Sequence, residues 1–479
     1  MASWNLTRRE FLKASCAGLA AAATSAGCVK PRIPASAANL LVILTDQQSS
    51  WTLGAYGGSV IDTPFIDRIA HEGAIFTNFF TNTGVCTPSR GSLMTGRYPH
   101  AHGAMYNSSA LNADEVTLGH VLQRNGRRTG YAGKWHLDGP AAAVRIPDAR
   151  AMGFQDRRYM FNRGHWKRLA ERSSGRHALG FGSSIGDEQS YATDFLTTKA
   201  IEFIESDRDT PFLYVLSIPD PHPPYRVRAP YDTMFAPDDM SVPVSFNDPA
   251  LPSWAERLRR DGPFALDEPR RESWLRKRKA QYCGQVKCID DNVGRLLACL
   301  ERNRVLDETL VVYTTDHGDY MGEHGLEGKG HLYETAYRVP LLVRWPSRVD
   351  AGTRVDQMID VVDFLPTICG LLDLGKTGRE HGRDASALLS GASVEWEDRV
   401  FVHPHDLMRA GIFTQEYALG YAGEGPAMLF DRRRDPDQLN DIADAPGYTT
   451  IVDELTDRVI RHHREVGSPA ARWLSGLRG

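Results

Sequence analysis

Two carboxylates and one cysteine are the residues of this chain whose placement first suggests chemistry. Asp46 closes the apolar run Leu40-Leu41-Val42-Ile43-Leu44-Thr45, and Asp316 follows Thr309-Leu310-Val311-Val312-Tyr313-Thr314-Thr315. A single strand-end aspartate is commonly a turn or helix-cap residue. Two of them, each ending an apolar run, favour hard oxygen ligands for a divalent cation such as calcium or magnesium. The cysteine is Cys86, in Cys86-Thr87-Pro88-Ser89-Arg90, followed by Gly91-Ser92-Leu93-Met94-Thr95-Gly96-Arg97. Taken alone it reads either as a buried thiol in a turn before a helix or as a nucleophile.

Such residues need rigid elements behind them. The runs 40–44, 212–217, 309–314 and 341–345 are continuous and apolar, which predicts buried parallel strands. The second leads to Pro219-Asp220-Pro221-His222. Helical patterns lie between them, at 192–205 and 276–303. This alternation predicts an α/β fold with a large central, mostly parallel sheet flanked by helices, and ligands beyond the carboxyl ends of the strands. Past about Leu371 the alternation weakens, and 411–422 reads as a short hairpin. We therefore expect a catalytic domain over 38–375 and a smaller C-terminal subdomain over 376–479 containing a short antiparallel sheet. The stretch 140–190 is irregular and carries Arg157, Arg158, Arg163, Lys167, Arg168, Arg172 and Arg176. Most of these read as a solvated face, with an anion-facing insertion as the alternative; 221–252 is also loop-like.

The Cys86-x-Pro88-x-Arg90 motif with its trailing Leu93-Met94-Thr95-Gly96-Arg97 resembles the signature of the type I sulfatases, members of the alkaline phosphatase superfamily. Several further motifs keep the family's order from about Asn39 to Asn440. The resemblance implies an alkaline phosphatase-like fold and conversion of Cys86 to formylglycine, an aldehyde hydrated to a geminal diol. One hydroxyl of the diol attacks sulfur, and loss of the other's proton regenerates the aldehyde and expels sulfate. By resemblance Arg90 holds the diol and the metal-binding carboxylates. Lys134 and His136, in Gly133-Lys134-Trp135-His136, bind the nucleophile and take its proton. His222 and Lys329 contact the sulfate and help the leaving group. The implied metal ligands are Asp46, Gln47, modified Cys86, Asp316 and His317.

Two positions depart from the common family pattern, which has an Asp pair at the first strand and Asp-Asn at the third. Here Gln47 follows Asp46 and His317 follows Asp316. Asp-His occurs in some branches, iduronate sulfatases and phosphonate monoester hydrolases among them. Calcium is the expected ion. An amide and an imidazole in the ligand set shift the site toward manganese or zinc, and magnesium is a further alternative. His324 reads as a structural neighbour of the site and His331 as a pocket residue. His403 and His405 read equally as specificity or surface residues.

With 479 residues and a net charge of −4, the chain has nothing that points to nucleic acid. Thr7-Arg8-Arg9-Glu10-Phe11-Leu12-Lys13 resembles the twin-arginine export signal, and the Ala-rich run after it is too short to span a bilayer. Residues 1–37 are thus expected to be a signal peptide cut after Ala35-Ser36-Ala37, giving a periplasmic or secreted protein. The lipobox-like Ser25-Ala26-Gly27-Cys28 would instead tether it through Cys28. Cys283, Cys288, Cys299 and Cys369 show no spacing of a bridge or zinc site and read as small buried hydrophobes. The expected partners are a sulfated small molecule or oligosaccharide and a formylglycine-generating enzyme, with no transmembrane span. The expected reaction is hydrolysis of a carbohydrate sulfate ester. The alternatives are a phosphonate monoester or phosphodiester hydrolase on the same scaffold and a non-catalytic glycan-binding protein.

Overall fold

The computed structural model describes residues 34–476, apart from 141–145, 172–177, 181–183, 263–264, 268, 393, 406–408 and 424–425. Arg172, Arg176, the twin-arginine motif and Cys28 therefore lie outside the described residues. The central sheet has eight strands: β1 Asn39–Asp46, β2 Ala74–Phe80, β3 Arg128–Lys134, β4 Asp156–Phe161, β7 Phe212–Pro221, β8 Thr309–Thr315, β9 Arg338–Arg344 and β10 Thr353–Asp360. Between β4 and β7 a two-stranded ribbon forms from β5 Leu169–Glu171 and β6 Ala178–Gly180. The strand order in the central sheet is β10-β2-β9-β8-β1-β7-β3-β4.

Every residue of β1 is buried. Leu40, Val42 and Leu44 enter one core, with Leu93, Met94 and Phe364. Leu41 and Ile43 enter the opposite core, with Phe195, Val286 and Leu297. Helices thus cover both faces, which is why these strands are continuously apolar rather than alternating. The helices expected at 192–205 and 276–303 are observed as Ala192–Ser206 and Arg270–Arg302.

One strand corrects the sequence reading. The run 341–345 falls in β9, which pairs antiparallel with both β8 and β2, whereas every other pair in the sheet is parallel. An apolar run reports burial on both faces and says nothing about direction. Direction comes from the connection. Residues 316–337 hold only the 3-10 turns Glu323–Gly325 and Glu334–Ala336, with no crossover helix to return the chain to the far end of the sheet.

Past residue 371 an antiparallel sheet, β11 Arg399–Val402, β12 Arg409–Thr414, β13 Tyr417–Ala422 and β14 Met428–Asp431, forms in simple order. Phe413 and Phe430 on one face pack with Phe80 and Tyr337 of the main body. Ile412 and Leu429 on the other pack under Leu455 and Val459 of the helix Thr449–Glu465. Cys283, Cys288, Cys299 and Cys369 are buried free thiols, as read from their spacing. Among the described residues no helix is long and apolar enough to cross a membrane.

Candidate active site

Four neighbouring parallel strands, β8, β1, β7 and β3, bring their carboxyl ends together. Asp46 ends β1, Lys134 ends β3, His222 follows β7, and Asp316 and His317 follow β8. Cys86 opens the helix Cys86–Thr95 and points its thiol at the same place. Local sequence explains that helix. Pro88 lies in the first turn, where its missing N–H has no intrahelical partner to lose. Gly96 ends the helix in the left-handed conformation, at φ 67°.

The floor of the site is an interlocked set of charges. Lys134 Nζ donates to Asp46 Oδ2 at 2.6 Å. Arg90 Nε donates to Asp316 Oδ2 at 2.7 Å, and its Nη1 to the Lys134 carbonyl and Ser217 Oγ, both at 2.8 Å. Cys86 Sγ lies 3.1 Å from His317 Nε2, whose ring is oriented by Nδ1 against the Gly318 carbonyl at 2.9 Å. Asp46, Cys86, Asp316 and His317 each offer a ligand atom within 4.8 Å of one another. Asp46 Oδ1 and Arg90 Nη2 are buried without hydrogen-bond partners, a common signature of an ion or substrate position.

Electrostatics follow from this geometry. Burial opposes ionisation of Cys86, yet Lys134, Lys329 and His317 draw its thiol well below the usual range. Burial likewise opposes the charge on Asp46, and Lys134, His222 and Arg90 overcome it. His136 stands in the left-handed region at φ 61°, with Nδ1 unpartnered. Burial and Lys134 hold its pKa low despite the nearby Cys86, so the ring is a neutral acceptor. Its neighbour Gly133, at φ 101°, admits no side chain, since a Cβ there would meet the Ser217 carbonyl oxygen at 1.8 Å.

Gln47 adjoins the four-ligand group, its backbone N–H donating to Asp316 Oδ1 at 3.0 Å. Its amide oxygen accepts from Lys329 Nζ, and its amide nitrogen donates to Asp319. Asp319 also accepts from Tyr225 Oη at 2.7 Å. His165 went unmarked by sequence reasoning. Its Nε2 lies 3.2 Å from Asp46 Oδ2, and its ring stacks on His222 at 3.9 Å between centroids. Asp46, His165 and His222 form a second group with ligand atoms within 4.8 Å. No strand end or motif announces His165, because it stands in the irregular arginine-rich stretch. Of the basic residues there, Arg163 and Arg168 are exposed, whereas Lys167 is buried against Asp220.

Above the floor opens a mouth of about 670 Å³, lined by His222, Arg278, Glu327, Lys329, His331, His405 and Arg409 among others. Burial, with Asp319 nearby, raises Glu327 to about 7. His331 and His405 thus reach the pocket. His324 does not: it bonds Asp248 at 2.8 Å and stacks on Tyr333. His403 is buried elsewhere, stacked on Tyr98 at 3.9 Å and with Nε2 3.0 Å from His462 Nε2. His100, His381 and His463 complete that cluster.

Residues 38–374 match the family model described as Sulfatase, and residues 322–465 match that of N-sulphoglucosamine sulphohydrolase, C-terminal. The chain is 29% identical over 450 residues to an ulvan-active sulfatase of Formosa agariphila, covering 90% of this chain and 81% of that one. It is 27% identical over 514 residues to the N-acetylglucosamine-6-O-sulfatase of Bacteroides thetaiotaomicron, covering 91% and 88%. A solved structure, BT4656 in complex with its substrate D-glucosamine-2-N,6-O-disulfate, superposes with a TM-score of 0.72 at 24% identity, covering 90% of this chain and 98% of that one.

Proposed function

This chain belongs to the type I sulfatase family of the alkaline phosphatase superfamily, and we propose that it hydrolyses a carbohydrate sulfate ester with a formylglycine made from Cys86. The observation that carries the reading is the position of Cys86: its thiol stands where a diol oxygen would, beside His317 and within the ring of Lys134, Lys329 and Asp46. The carbohydrate class rests on the two relatives, which are named for a polysaccharide and an amino sugar.

The donor set fits a divalent cation, calcium first. Asp46 leaves one buried oxygen unpartnered, and Asp316, His317 and the modified Cys86 complete the ligands. Gln47, the fifth candidate, offers an amide oxygen that already accepts from Lys329. When bound, the cation supplies positive charge to the sulfate oxygens and to the diol. The protein's own residues supply the rest. Arg90 fixes Asp316 and, through the Lys134 carbonyl and Ser217 Oγ, ties β3 to β7. Lys134 faces the attacking hydroxyl. As the sulfur–oxygen bond of the ester breaks, Lys329 gives the departing alkoxide its proton, while His222, whose pKa burial holds low, contacts the sulfate as a neutral ring. His136 accepts the proton of the second hydroxyl, which frees sulfate and returns the aldehyde.

Residues 1–37 act in this reading as a twin-arginine leader, with a formylglycine-generating enzyme acting before export and a periplasmic, secreted or Cys28-anchored product. The test is a mass measurement of the Cys86 peptide together with rates on N-acetylglucosamine 6-sulfate and on a phenyl phosphonate monoester. We expect the aldehyde mass, faster sulfate turnover, and loss of about 10⁶-fold in kcat for Cys86→Ala. A clear phosphonate preference, or full activity in Cys86→Ala, overturns the reading.

A further inference from the structure

The mouth carries three permanent cations, Arg278, Lys329 and Arg409, against one carboxylate, Glu327. Two of the cations have visible work. Lys329 holds Gln47 on the floor. Arg409 lies against His405 at 2.5 Å and His331 at 3.4 Å. Arg278 is different. It projects from the helix Arg270–Arg302, one turn beyond Trp274, with its guanidinium carbon 4.1 Å from the Trp274 ring centroid and 5.3 Å from that of Tyr225. Among the described residues no carboxylate lies within ion-pair distance of it.

Two physical facts make this arrangement a receptor rather than a structural tie. A guanidinium stacked on aromatic faces keeps its edge donors free for the oxygens of a carboxylate or sulfate, which it can hold in bidentate fashion. Stacking also restricts the side chain beforehand, so less freedom is lost when a ligand arrives. The stack is tied to the floor, because Tyr225 Oη donates to Asp319, which accepts from Gln47. In the sulfatase reading the charge of the scissile sulfate is met by Lys329 and the cation site. Arg278 is therefore surplus to a substrate with a single negative charge.

We infer that Arg278 is a specificity residue that binds a second oxyanion, so that the preferred substrate is a sulfate ester carrying another sulfate or a carboxylate. This rests on the sulfatase reading given above. Two pairs of ligands separate the sources: glucosamine 2-N,6-O-disulfate against N-acetylglucosamine 6-sulfate, and a 6-sulfated disaccharide bearing a uronate against its carboxyl-reduced form. Their binding to the full chain carrying Cys86→Ala is measured by calorimetry, with and without Arg278→Gln, and kcat and KM are measured in the otherwise native protein.

We expect at least one dianion to bind about tenfold or more tightly than its partner. Arg278→Gln should erase that preference and raise KM for the dianion while leaving kcat on the monosulfate unchanged. Arg278→Lys should restore part of it. The responding pair identifies the second group as sulfate or carboxylate. The inference is overturned if the parent binds neither dianion preferentially, or if Arg278→Gln keeps the preference. A dianion preference that depends on Arg278, in a protein that turns over no sulfate ester, would sustain Arg278 and sink the sulfatase reading instead.

Discussion

The floor and the mouth of this site are built on opposite principles. On the floor, Asp46, Lys134, Arg90 and Asp316 are at most 1% exposed, and each is held by an oppositely charged partner. In the mouth, Arg278, His331, His405 and Arg409 are half-buried and come from one helix, one loop and the C-terminal part of the chain. Burying unpaired charges is costly, so the floor must be complete before the chain folds well. The mouth has no such constraint and can change residue by residue. The difference teaches where reaction and selectivity reside: the first in strand ends that share a hydrogen-bond network, the second in elements linked to it only by single contacts.

The sharpest way to break this contrast is Arg90→Gln. It leaves Asp316 and Asp46 buried without their guanidinium, and should cost about 3–5 kcal/mol of stability in urea unfolding together with about a 10³-fold loss of kcat. A folded, nearly fully active variant would show that the floor is not interlocked. His165→Ala sharpens the boundary, since His165 touches Asp46 of the floor and stacks on His222 of the mouth. A loss of about 10–100-fold in kcat assigns it to the floor; a rise in KM alone assigns it to the mouth.

A third region, outside both, bears on stability alone and leaves turnover untouched. Burial, aided by neighbouring cations and imidazoles, lowers His381 to about 4, His463 to about 3 and His462 to about 2, and holds His403 well below the usual range. These rings are neutral when folded and titrate near 6.5 when unfolded. Below pH 6.5 the unfolded chain therefore binds more protons, and stability present above that pH is lost as the pH falls toward the folded values. The slope is about 1.4 kcal/mol per pH unit for each such ring. Urea midpoints at pH 7 and pH 5 measure it, and equal midpoints would mean that the rings are already solvated.

The sequence made the floor legible for a physical reason. Asp46 and Asp316 each end an apolar run, whereas Cys86, Lys134 and Lys329 were legible through the resemblance of their motifs to the sulfatase family. β3 was not legible as a strand, because Gly130 and Gly133 replace apolar residues where Tyr214 and Ser217 press against it; a Cβ on Gly130 would lie 2.6 Å from the Tyr214 ring. β2, β4 and β10 were missed too, each mixing polar with apolar residues along partly exposed stretches. His165 and Arg278 had no local pattern at all. Their roles depend on which distant ring or carboxylate the fold sets beside them, and spacing along a chain does not encode that.

The reversed strand β9 has a consequence for how such a protein changes. Because β8 and β9 run in opposite directions, the connection 316–337 leaves and re-enters the sheet at the same end, over the reacting groups. An ordinary crossover spends most of its length on the far face, where insertions are silent. Here the connection itself carries Glu327, Gly328, Lys329, Gly330 and His331 into the pocket, so a residue added or deleted within 327–331 acts on it directly. The segment is therefore the place where lineages can trade one substrate for another quickly, and also where a careless insertion is least forgiven.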